Sequence, residues 1–177
     1  MGFDRLGYGP HSFLNDYILK NKCRRIMEIG IADGENAKTM ILVASNNFPI
    51  EQVEYYGFDI FGWNGDSHMR RVRQKLEATG CKVRLFKGDS TITLPKFVEN
   101  LPMMDLIFID GGHSYPAVKS DWEYSKKLMY DKTAVFFHNY DFYGPKRLVD
   151  NISQDIYNVE IISSRRDYPT ALVTKKI

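Results

Sequence analysis

The chain has 177 residues, 44% of them hydrophobic and 26% charged, and a net charge of +2. Such a chain is expected to fold as one globular domain over residues 1–177, with a sizeable core. The small net charge argues against a strong pull toward nucleic acid or anionic membrane, and no apolar run reaches transmembrane length.

Cys23 and Cys81 stand far apart without metal-ligand spacing, so reduced thiols in a cytoplasmic protein are expected. Asp4, Arg5, Asp16 and Lys20 leave no apolar region for a signal peptide, and Leu6 stands where myristoylation needs Ser or Thr.

In chain order, Phe13, Leu14, Tyr17 and Ile18 suggest a leading helix over about 11–22. Arg25 to Ile29 reads as a buried parallel strand that turns at Gly30 into a helix. Asp33 is the expected N-cap of that helix, and Ala37, Met40, Ile41 and Ala44 its buried stripe. Val53 to Ile60 is a second strand ending at Asp59. After the loop 61–65 comes a helix with Met69, Val72 and Leu76 inward and Gly80 as its stop. Arg70, Arg71, Arg73 and Lys75 interleave with that stripe and read as a solvated face. His11 and His68 are both read as surface residues.

Val83 to Lys87 is a third strand, closed by Gly88-Asp89-Ser90 and a short helical segment interrupted by Pro95 near its start. Asp105 to Asp110 is almost wholly apolar within, as a central parallel strand should be. Val118, Trp122, Ser125 and Met129 mark the next helix, Thr133 to His138 a fifth strand, and Pro145 to Ile152 a further helix. Tyr157 to Ile162 and Thr170 to Thr174 have no helix between them and should pair antiparallel, with Arg165 and Arg166 in their loop. Five βα units and a hairpin make an α/β, Rossmann-like, seven-stranded mostly parallel sheet, one strand reversed, with helices on both faces.

The strand ends carry the chemistry. Gly30 and Gly34 can take φ > 0 and admit a ligand close to the backbone, and Glu28 favours a ligand with a cationic end. The dinucleotide pattern G-x-G-x-x-G fails, because Ala32 and Glu35 stand at its second and third glycines. Asp59, Asp89 and Asp110 each follow a strand; each could equally be a turn or cap aspartate. Phe61 and Trp63 follow Asp59 and could stack on a ring. Tyr140, Phe142 and Tyr143 could rim a pocket or simply pack.

In this order the residues resemble the class I S-adenosylmethionine-dependent methyltransferases, over nearly the whole chain. Glu28-Ile29-Gly30-Ile31-Ala32-Asp33-Gly34 looks like their first motif, with Ala32 in place of a commoner glycine. The resemblance implies that Asp59 meets the ribose hydroxyls and that Gly88-Asp89-Ser90 lies against adenine. Asp110-Gly111-Gly112-His113-Ser114-Tyr115, with Val118 and Asp121, is similar to the D-G-x-H-x-Y signature of a small-molecule branch. That branch often has His-Asp after its fifth strand, where this chain has His138-Asn139. The implied cofactor is adenosylmethionine, held by Glu28, Gly30, Ala32, Gly34, Asp59, Asp89, Ser90 and Asp110. The expected reaction is methyl transfer to a small-molecule acceptor, on oxygen, with His113 and then His138 as candidate bases. A divalent cation at Asp110 and Asn139, with His138 or Asp141 as further donors, is a lesser expectation, since one carboxylate and one amide are few ligands for magnesium. A cofactor-binding or degenerate fold acting as a partner subunit is the alternative. A nucleic-acid substrate is disfavoured by the lack of an Asn/Asp-Pro-Pro-Tyr loop. The short chain leaves little room for a substrate lid, which leaves a homo-oligomer or a partner open as the means of completing the pocket.

Overall fold

The computed structural model describes residues 11–62, 66–164 and 167–176. Strands and helices alternate from β1 (Arg25–Ile29), α2 (Glu35–Ala44) and β2 (Glu54–Asp59) to α3 (Asp66–Glu77) and β3 (Lys82–Lys87), after a leading α1 (Ser12–Asn21). Then come α4 (Ser90–Phe97), β4 (Met104–Ile109), α5 (Tyr115–Ser125), β5 (Met129–Phe137) and α6 (Tyr143–Val149). The hairpin of β6 (Tyr157–Ser164) and β7 (Asp167–Lys175) closes the chain. The seven strands form one sheet in the order β3-β2-β1-β4-β5-β7-β6, with β7 the reversed strand.

Alternation along the central strands explains the layers. Side chains of a strand point to opposite faces in turn. Leu106 and Phe108 face one core with Ile26, Tyr55, Ala134 and Phe136, while Ile107 and Ile109 face the other with Met27, Ile29, Val135 and Phe137. Helices α1, α2 and α3 cover the first face, through Leu14, Ile18, Met40, Ile41, Val72 and Leu76. Helices α4, α5 and α6 cover the second, through Leu94, Val118, Trp122 and Leu148. Burial on both sides is why the strands read as continuous apolar runs.

Several boundaries differ from the sequence reading. Met129 opens β5 instead of closing α5, because a short 3-10 turn at Lys126–Leu128 ends the helix early. The helix before it, α4, starts at once at Ser90, capped by Asp89, so Pro95 sits near its end rather than its start. Helix α6 begins at Tyr143, two residues sooner than Pro145 suggested. Arg70 and Arg71 are exposed, as the solvated face of α3 requires. Both cysteines are free and buried. Among the described residues no helix is long and apolar enough to cross a membrane. Trp63 and the loop residues Arg165 and Arg166 lie outside the described residues.

Candidate functional site

The backbone ladder runs one residue past β1, β3, β4 and β5 and so pins the residues that follow. Gly30 N–H donates to the Phe58 carbonyl, Asp110 N–H to Ile29, His138 N–H to Ile109 and Gly88 N–H to Asp59, at 2.8–3.0 Å. All four positions therefore stand at one edge of the sheet. The strand order reverses between β1 and β4, and in open α/β sheets that is where a crevice opens beyond the strand ends. A cavity of about 790 Å³ lies there. Of the residues expected to hold a cofactor, all but Gly34 line it; His113 and Asn139 line it too, and His138 does not.

Gly34 has φ +81°, but an added Cβ would meet Val72 Cγ1 of α3 at 3.2 Å. Its bare backbone serves helix packing, which corrects the expectation that it faces a ligand. Gly34, not Asp33, is also the N-cap of α2, without a side-chain hydrogen bond. At Gly30 a Cβ would stand 2.2 Å from the Asp110 carbonyl oxygen, so the turns after β1 and β4 can pass only if this residue is glycine. Ala32 takes the left-handed conformation at φ 49°, where glycine would be unstrained. Asp59 holds this turn shut: its Oδ2 accepts from the Ile31 and Ala32 amides at 2.7 and 3.2 Å, and its Oδ1 from Phe61 N–H at 2.6 Å. With two lone pairs on each oxygen, Oδ1 keeps one acceptor position for a ligand.

Glu28 is buried at 1% exposure, on the cavity wall. Its carboxyl accepts from Asn36 Nδ2 at 2.8 Å and from the Tyr55 hydroxyl. Burial outweighs those bonds and pushes it up to about 8. Asp89 caps α4, accepting from the Thr91 N–H at 2.9 Å and from its hydroxyl at 2.7 Å, so it is a helix cap as well as a cavity residue. Beneath Ser90 lies Asp121, fully buried; neither carboxylate oxygen has a hydrogen bond of ordinary geometry, although the Ser90 hydroxyl is close enough to favour the ionised form. Burial, with Asp89 nearby, pushes Asp121 up to about 7.

On the other side of the crevice four side chains form a chain of contacts. His138, 1% exposed, places Nδ1 2.9 Å from Asp110 Oδ1 and Nε2 3.0 Å from Asp167 Oδ1. The other Asp167 oxygen contacts His11 Nδ1. Burial acts against the charged form of all four groups. For His138 the two carboxylates outweigh it and raise the imidazole above its ordinary range. For His11 burial prevails and lowers it, despite Asp167. Asp110 and Asp167 are held below the usual carboxylate range, because their histidine neighbours outweigh burial. His113 stands further out, its Nε2 3.6 Å from Asp110 Oδ1, an ion-pair distance rather than a hydrogen bond.

Several wall residues escaped the sequence reading. His11 and His68, expected at the surface, are each 4% exposed and line the cavity. No periodicity could reveal His11, which is a single residue ahead of α1. His68 sits on the inward stripe of α3 one residue before Met69, a spacing that was available. Phe61 is fully buried in the core against His68 and does not reach the cavity; Ile60 and Gly62 do. Phe142 lines the cavity, whereas Tyr143 is exposed away from it. Tyr168, from the start of β7, completes that wall.

The pair Asp110 and Asn139 was the expected cation site. Both face the cavity, but Asp110 Oδ1 already lies against His113 and His138, and Asp141 is exposed and off the wall. A hard cation asks for several oxygens, and this set fits it poorly.

The family described as a methyltransferase domain matches residues 27–140, more than half of the chain. No curated protein matches. Among solved structures, the O-methyltransferase TomG from Streptomyces achromogenes, in complex with adenosylmethionine, superposes with a TM-score of 0.70 at 16% identity, over 93% of this chain and 78% of that one. The calicheamicin-biosynthesis TDP-rhamnose 3′-O-methyltransferase CalS11 gives 0.73 at 20% identity, over 91% and 75%. An O-methyltransferase from Bacillus cereus, in complex with SAH, gives 0.66 at 18%, over 93% and 79%. At these identities the likeness speaks for the fold.

Proposed function

The chain belongs to the methyltransferase domain family, with the class I adenosylmethionine-dependent fold, and from that premise we propose that it moves a methyl group from adenosylmethionine to an oxygen of a small molecule. The observation that carries this reading is the single cavity wall on which Glu28, Asp59, Asp89 and Asp110 come together from four strand ends. A ribose diol can donate to the remaining lone pair of Asp59, and the adenine amine to Asp89. An ammonium group beside Glu28 favours its ionised form and offsets the burial that keeps it protonated.

Methyl transfer is an in-line displacement at carbon, so holding the acceptor oxygen ~3–3.5 Å from the methyl does much of the work. A hydroxyl acceptor must also lose its proton. His113 suits that role, since it lines the cavity and has Asp110 beside it to stabilise the imidazolium. His138 is shut away behind Asp110 with both ring nitrogens on carboxylates, so it positions rather than meets the acceptor.

Labelled methyl transfer from adenosylmethionine to a panel of hydroxylated small molecules, amines and RNA tests the reading. Label on a hydroxyl oxygen, reduced ~10²–10⁴-fold by His113→Ala, is the expected result. Label on RNA or on amines alone, or unchanged turnover in His113→Ala, would contradict it.

A further inference from the structure

Among the described residues, one group of histidine and carboxylate side chains lies close enough to share a metal ion: His11, His138 and Asp167, with donor atoms all within 4.8 Å of one another. These residues come from the start of α1, the end of β5 and the start of β7, elements that meet only in the folded chain. The geometry points to a three-ligand site for a borderline divalent metal of the zinc type, made by His11 Nδ1, His138 Nε2 and a carboxylate oxygen of Asp167. It uses neither Asn139 nor Asp110 as a ligand, and it stands whether or not methyl transfer holds.

Three observations support it. First, the donors suit such a metal, since two imidazoles and one carboxylate are common around zinc and foreign to magnesium. Second, Asp110 already occupies the back of His138, its Oδ1 2.9 Å from Nδ1. A proton on Nδ1 would be donated to that carboxylate and would leave Nε2 directed at Asp167, the arrangement in which a carboxylate orients a metal-bound histidine. Nε2 stands 3.0 Å from Asp167 Oδ1, and a metal ion there would replace the proton that the two groups share in its absence.

Third, the donors are held rigidly. The rings of His11 and His138 lie 4.6 Å apart, and His11 packs on Phe108 at 5.1 Å. The His11 backbone N–H donates to Asn36 Oδ1 at 3.3 Å, and Asn36 in turn donates to Glu28. Three protein ligands leave one position of a tetrahedral metal open. Of the three ligands His11 lines the cavity, whereas His138 and Asp167 lie behind its wall.

Metal-free full-length protein titrated with Co²⁺, then Zn²⁺, near neutral pH tests the site by calorimetry and visible absorption. The expected result is one Co²⁺ per chain, with absorption bands of low-coordinate cobalt, displaced by Zn²⁺. Affinity should fall at least ~100-fold in His11→Gln and Asp167→Asn, and ~10–100-fold in Asp110→Asn, which acts only through the His138 ring. Circular dichroism confirms that each variant is folded. Should one not fold, imidazole nitrogen signals of the wild-type protein decide: Zn²⁺ must shift those of His11 and His138 and leave His68 in place. Folded wild-type protein that takes up no metal, or that binds it undiminished in His11→Gln, or Zn²⁺ shifts confined to other histidines, would overturn the inference.

Discussion

At the scale of single residues, Glu28 carries the clearest pH signature. Its carboxyl ordinarily titrates near 4.5 and is pushed up to about 8 by burial in the folded chain. The folded state therefore prefers the protonated acid. Its contribution to stability is fully present below 4.5 and is lost as pH rises through 8, above which it no longer changes. Over that window the loss is on the order of a few kcal/mol, at about 1.4 kcal/mol per unit. Glu28→Gln keeps the neutral shape and should gain stability relative to wild type between about pH 5 and 8, measured by denaturant unfolding across that range. A constant difference between the two proteins would show that Glu28 is ionised in the fold. Residue roles of this kind were only half legible. A carboxylate at the end of β1 is visible in sequence, but its burial needs the facing positions of Tyr55 and Asn36, which are set by strand register and by helix packing.

At the scale of elements, the turn between β1 and α2 decides how α3 packs. A substitution at Gly34 meets two obstacles, the left-handed φ of +81° and Val72 at 3.2 Å, and both concern the fold alone. Gly34→Ala should cost ~1–2 kcal/mol of stability, read from the melting transition. The folded variant should bind adenosylmethionine as the wild type does, since Gly34 does not line the cavity. A large loss of affinity without loss of stability would return Gly34 to the binding surface. The sequence shows the two glycines without separating their tasks, because what their missing Cβ atoms would touch belongs to other elements. Asp167 is a contrasting case. A reversed strand beside β5 begins at the crevice edge, but the sequence suggests a start at Thr170, and the three further residues that bring Asp167 to that edge show only in the structure.

At the scale of the whole molecule, the order of strands and the sheet edge that carries the site were legible, because apolar runs, turns and terminal aspartates recur in register along the chain. What was not legible is the contribution of the two ends of the described chain. His11 and Asp167 are 156 positions apart, one just ahead of α1 and the other opening β7, and only the assembled sheet brings them together. Whether this crevice is built for adenosylmethionine is decided by calorimetric titration of the folded protein with adenosylmethionine and with S-adenosylhomocysteine. Saturable one-to-one binding of both ligands, weakened by Asp59→Asn, which disturbs the acceptor set at the turn, is the predicted result. Folded protein that gives no heat with either ligand would mean that the crevice serves another ligand.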